Sequence, residues 1–169
     1  MALNPKLRPY EVLAVAIRAE IEAADFYAGL LEKVRNILLQ QKLKFLVTEE
    51  KKHRKILERL HSQRFAEVEL KIPDQTAGPK TLATWSEKAS VLDLFKIALE
   101  AEKMAEQFYK DAHRVIGDPS SRKMLEYLSR VERSHYFLIK SEIELLSRFP
   151  DYYDVEDFHL GADLFHIGP

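Results

Sequence analysis

A glutamate and a histidine stand three residues apart twice in the chain, in EEKKH (49–53) and VERSH (131–135). On an α-helix, residues i and i+3 share a face, so Glu50 with His53, and Glu132 with His135, can offer an oxygen and a nitrogen to one ion. Two more glutamates lie in matching contexts: Glu20 in AEIEAADFY (19–27) and Glu102 in AEKMAEQFY (101–109). Both matches share one offset, since 102 − 20 and 132 − 50 are each 82. Oxygen and nitrogen donors without sulfur suit iron or manganese, and zinc is possible.

A single E-x-x-H in a chain this rich in glutamate reads as a solvated helix face. The register changes that reading. All six residues fall on stripes whose other members are apolar, such as Leu43, Leu46, Leu57 and Leu60 around Glu50 and His53. Burying even one unpaired carboxylate is very unfavourable, and four together repel one another. Two divalent cations supply the compensation: four carboxylates carry −4 against +4, with two neutral imidazoles completing the donor set. Tyr27 and Tyr109 each lie seven residues beyond a glutamate, two turns along the same face, and are expected to hydrogen-bond a ligand carboxylate from outside the ligand set. Glu22, Glu49, Glu100 and Glu106 read as solvated or flanking. His61 and His113 read as structural or exposed. His159 and His166 belong to the tail and are expected to pack against the bundle or a second subunit.

These residues need four helices to position them. The 3.6-residue periodicity gives stripes from Leu13 to Val34, Leu43 to Leu60, Leu92 to Ile116 and Leu125 to Leu146. Asn36 is the N-cap candidate between the first two. Between the last two, VIGDPSS offers Gly117 as a left-handed C′ residue, Asp118 as N-cap and Pro119 at the first helical position. Ser90 with Asp93 resembles a capping box opening the third helix. Under the offset of 82, Asn36 falls on Asp118, so the chain reads as two copies of one helical hairpin. Glu20 and Glu50 are centred on residue 35, and Glu102 and Glu132 on residue 117, at the two expected turns. In antiparallel hairpins each pair then lies at one height, about 22 Å from its turn at about 1.5 Å per residue. Residues 62–89 read as a long crossover, with room for a short helix. Residues 1–149 form the expected bundle, and 150–169 an acidic, aromatic tail outside the helical pattern.

Composition narrows the partners. The 169 residues are 46% hydrophobic, enough for one sizeable core, and a net charge of −1 gives no electrostatic reason for a nucleic-acid or anionic-membrane partner. The absence of cysteine excludes disulfides, thiolate metal sites and a thiol nucleophile, and fits a reducing compartment. No apolar run approaches the roughly 20 residues of a membrane span, so a cytoplasmic protein is expected.

Two helices giving one Glu each, two giving E-x-x-H, and a long crossover between helices two and three resemble the ferritin-like di-iron carboxylate family. The pairing of EIEAADFY and EKMAEQFY with EKKH and ERSH resembles the rubrerythrin group within it, over residues 8 to about 148. The resemblance implies an all-α, antiparallel four-helix bundle with two irons. Glu50 and Glu132 would bridge them, Glu20 and His53 would complete one, and Glu102 and His135 the other. It implies reduction of hydrogen peroxide or dioxygen, or oxidation of ferrous iron. The chain departs from the group in two ways. It has no four-cysteine rubredoxin-type site, so electrons would come from a separate donor protein. Ala105 stands where rubrerythrins carry an extra glutamate, one turn after the third helix's ligand. A homodimer is the expected assembly. The competing readings are iron binding or storage without redox turnover, and a structural bundle with a vestigial site.

Overall fold

The computed structural model describes residues 6–76 and 90–153. Among these, four long helices run in order: α1 (Pro9–Lys33), α2 (Ile37–Arg64), α3 (Val91–Val115) and α4 (Pro119–Arg148), followed by one 3-10 turn at Pro150–Tyr153. No strand occurs among the described residues, and no helix is long and apolar enough to cross a membrane.

The helix starts follow local chemistry. Asn36 accepts hydrogen bonds from the backbone N–H groups of Leu38 and Leu39, and Asp118 from those of Ser120 and Ser121, with Pro119 at the first helical position. Each cap satisfies donors that the first turn of a helix leaves unpaired. Ser90 Oγ accepts from Asp93 N at 3.1 Å and donates to the Asp93 carboxylate at 2.7 Å. Gly117 corrects an expectation: among the described residues no glycine has positive φ. The helix ends with Ile116 extended at φ −78° and ψ 122°, and the Ile116 carbonyl is capped by Arg122 Nε at 2.8 Å. A side chain therefore takes the role expected of a left-handed glycine. In the crossover, residues 65–76 contain no helix, and residues 77–89 lie outside the described residues.

Helices α1 and α2 pack as one antiparallel hairpin, α3 and α4 as the other, and the hairpins meet through α1 on α3 and α2 on α4. Two apolar clusters fill the ends of the bundle. One joins Val12, Leu13 and Ile17 to Leu57, Phe108, Ile116 and Leu125. The other joins Phe26, Leu30 and Val34 to Leu39, Leu94 and Ile139. The turn between α1 and α2 thus lies at one end and the turn between α3 and α4 at the other. That arrangement explains the long crossover. Helix α2 ends beside the first cluster and α3 starts beside the second, so the connection must travel the length of the bundle. Its first part packs Phe65, Leu70 and Ile72 on the first cluster. Midway, Thr76 bonds the Glu22 carboxylate through its backbone N–H, at 3.0 Å, and through its hydroxyl. The six residues singled out above lie between the two apolar clusters.

Candidate metal centre

Each of the six residues is buried, at 3% exposure or less: Glu20, Glu50, His53, Glu102, Glu132 and His135. The hairpins bring them together in two overlapping groups whose donor atoms lie within 4.8 Å of one another. One is Glu20, Glu50, His53 and Glu132, and the other is Glu50, Glu102, Glu132 and His135. Glu50 and Glu132 belong to both. His53 Nδ1 stands 3.0 Å from Glu132 Oε1, 3.3 Å from Glu50 Oε2 and 3.4 Å from Glu20 Oε2. His135 Nδ1 stands 3.1 Å from Glu50 Oε1, 3.3 Å from Glu132 Oε2 and 3.7 Å from Glu102 Oε2. The imidazole rings stack with centroids 5.5 Å apart and planes at 19°.

These contacts are ion-pair distances rather than well-aligned hydrogen bonds: both nitrogens of His53 and His135, Glu20 Oε2, Glu50 Oε1 and Glu132 Oε1 are buried without a hydrogen-bond partner. A buried polar group left unpaired costs about 1–3 kcal/mol, so seven in one cluster need a common partner. The spacing suits a metal ion. At a metal–ligand distance of about 2.1 Å, neighbouring donors stand about 3.0 Å apart in octahedral geometry and about 3.4 Å in tetrahedral geometry. Five of the six separations, at 3.0–3.4 Å, fall in this range, and His135 to Glu102, at 3.7 Å, lies just beyond it. The donor set fits two divalent cations of the iron, manganese and zinc class.

The tyrosines cross between hairpins. Tyr27 of α1 donates its hydroxyl proton to Glu102 Oε1 of α3, and Tyr109 of α3 donates to Glu20 Oε1 of α1. Burial and the charges of these carboxylates hold both phenols well above their usual range, so they remain donors. Without metal, protons carry the compensating charge. Burial and the Glu50 charge push Glu20 up to about 8. Burial and Glu50 likewise raise Glu102. Burial also acts upward on Glu50 and Glu132, but His53 and His135 outweigh it and keep both below their ordinary range. Burial disfavours the charged imidazoles, yet the surrounding carboxylates win, raising His53 strongly and His135 to about 12. The metal-free cluster therefore holds on to protons at Glu20, Glu102 and the two imidazoles more strongly than the free groups would.

The flanking residues divide. Glu106 pairs with Lys110 at 2.5 Å, Glu22 accepts from Arg18 Nε at 3.0 Å, and Glu100 is exposed. His113 is half-buried. His61 is buried and its imidazole is pushed down by desolvation. His159 and His166 lie outside the described residues. Two features escaped the sequence reading. Glu49 is not merely flanking: although it pairs with Lys52 at 2.6 Å, its carboxylate lies within 4.8 Å of ring nitrogens of both histidines. Glu142 is buried on α4 and pairs with Lys42 of α2. Both break the repeat, since the positions 82 away are Val131 and Leu60. That break is the signal that could have found them.

Comparison with known proteins agrees with this architecture. A hypothetical protein from Pyrococcus furiosus is similar over 85% of this chain and 92% of its own, with 34% identity and a TM-score of 0.77. CopM in its Cu(II)-bound form shares the fold, with a TM-score of 0.67 over 81% of this chain and 96% of its own, at 10% identity. No curated protein matches the chain. The rubrerythrin family model matches residues 11–143, most of the length, and the chain belongs to the rubrerythrin family.

Proposed function

We propose that the chain is a non-haem di-iron redox protein that reduces hydrogen peroxide or dioxygen. The observation that carries this reading is the pair of overlapping four-donor groups sharing Glu50 and Glu132. In this reading Glu50 and Glu132 would serve both of two irons, Glu20 and His53 would complete the donors of one, and Glu102 and His135 those of the other. A diferrous pair held there would supply the two electrons that, with two protons, convert one hydrogen peroxide into two waters.

The protein's own residues do the rest. Glu50 and Glu132, common to both donor groups, couple the two sites as two-metal chemistry requires. Tyr27 and Tyr109 fix the orientation of Glu102 and Glu20 and keep a proton beside each. The two apolar clusters exclude bulk water from either end of the site. With no cysteine in the chain, electrons arrive from a separate donor protein, and the working unit is a homodimer.

The test is anaerobic loading with ferrous iron followed by hydrogen peroxide. The reading expects about two irons per chain to oxidise rapidly, and Glu132→Ala to abolish the reaction. Protein that binds no iron, or that oxidises at an unchanged rate in Glu132→Ala, sinks it. Loaded protein that never turns over favours storage.

A further inference from the structure

Between α1 and α3 a pocket of about 80 Å³ opens onto the cluster. Its walls are Ala19 and Ala23 from α1, Ala101 and Ala105 from α3, with Phe26 and Phe108 beyond them, and its floor is the four buried glutamates. The walls obey the repeat, because each α3 residue lies 82 positions after its α1 counterpart. Elsewhere the lining breaks it: Glu22 is matched by Met104 82 positions on, and Thr76 of the crossover, which is tied to Glu22, also lines the pocket. Three of the floor glutamates present oxygens with no hydrogen-bond partner: Glu20 Oε2, Glu50 Oε1 and Glu132 Oε1.

We propose that this pocket is the oxidant's path to the centre and a filter for small, uncharged oxygen species, with Ala23 and Ala105 setting its width. The inference rests on the di-iron reading and adds the access path and the two residues that decide which oxidants use it. Two physical points carry it. An apolar wall gives an ion nothing to replace its hydration, so charged species pay a heavy desolvation cost to pass. The volume corresponds to about five to eight molecules of water size, at about 10–15 Å³ each, so hydrogen peroxide passes easily while a bulky organic group has to fill most of it. The alanines matter because any larger side chain there grows into the pocket. They are only partly buried, so a leucine has somewhere to go without disturbing the core.

The experiment has two arms. In the first, crystals of metal-free protein are pressurised with xenon, which enters dry apolar cavities. A xenon atom beside Ala23 and Ala105 is expected in the wild type and absent in Ala105→Leu. In the second, ferrous-loaded protein is mixed with hydrogen peroxide or with cumene hydroperoxide. The wild type should react about 100-fold faster with hydrogen peroxide. Ala105→Leu, and independently Ala23→Leu, should slow hydrogen peroxide about 10-fold or more while still binding two irons per chain with an unchanged melting temperature. Loaded variants that react at the wild-type rate, or a wild type indifferent to oxidant size, overturn the filter. A wild type that binds iron but consumes neither oxidant overturns the di-iron redox reading instead. The xenon arm then decides the pocket alone, and no xenon there overturns it.

Discussion

Tyr27 on the first hairpin donates its hydroxyl proton to Glu102 on the second, and Tyr109 returns the same bond to Glu20. Each hairpin thus orients a carboxylate that belongs to the other. Tyr27→Phe keeps the ring in the apolar cluster and removes only the donor. It should lower stability by about 1–3 kcal/mol, because Glu102 Oε1 loses its partner in a buried site. For a chain of this size that is a fall in melting temperature of about 2–4 °C per kcal/mol. Metal affinity, read by competition with a chelator, should fall about 10-fold. Unchanged affinity in both Tyr27→Phe and Tyr109→Phe would show that the crossed bonds do not orient the ligands.

The sharing of Glu50 and Glu132 predicts an asymmetry among ligand substitutions. Removing a residue common to both donor groups should empty both sites. Removing one that belongs to a single group should leave the other site standing. Glu50→Ala and Glu132→Ala are expected to retain almost no metal, and Glu20→Ala and His53→Ala about one ion per chain. Metal analysis after gel filtration reads the difference directly. Equal losses in all four variants would contradict a shared pair.

The pKa shifts predict that metal reverses the pH dependence of stability. In the metal-free protein Glu20 keeps its proton up to about 8 rather than 4.5, and His135 up to about 12 rather than 6.5. Between pH 5 and 8 the folded state therefore binds more protons than the unfolded chain. Stability is greatest at the acid side of this window and falls as pH rises. Glu50 and Glu132, held below their ordinary range, act in the opposite direction, but only at the acid edge of this window, where unfolded carboxyls near 4.5 still carry some protons. Metal binding expels these protons, so affinity and its contribution to stability rise with pH. Thermal melts from pH 5 to 8 should fall for chelated protein and hold or rise for loaded protein. Parallel curves would refute the exchange of protons for cations.

Much of the centre was legible because periodicity reports which face a residue occupies. Glu20, Glu50, His53, Glu102, Glu132 and His135 interrupt apolar stripes, and the offset of 82 places them at one height in the bundle. Asn36 and Asp118 were legible because capping is local chemistry. What lay hidden depended on how one hairpin docks on the other. A stripe does not say which helix will face it, so the crossing of Tyr27 to Glu102 could not be read. Nor could the Lys42–Glu142 pair, whose members are 100 residues apart and lack counterparts in the repeat. Glu49 was hidden for the opposite reason: its neighbour Glu50 already explained the motif.

Gly117 offers a prediction from a failed local rule. The residue follows the end of α3 and was expected to need a left-handed backbone, which its φ does not adopt. A methyl group built there meets nothing within 4 Å. The glycine therefore contributes flexibility to the unfolded chain without serving the folded turn. Gly117→Ala should reduce the entropy of the unfolded state and stabilise the protein by about 0.4–1 kcal/mol. The melting temperature should rise by about 1–4 °C, with metal content unchanged, since the turn lies a bundle end away from the ligands. A substantial drop on this substitution would mean that the turn uses a conformation alanine cannot adopt, and that Arg122 alone does not finish the helix.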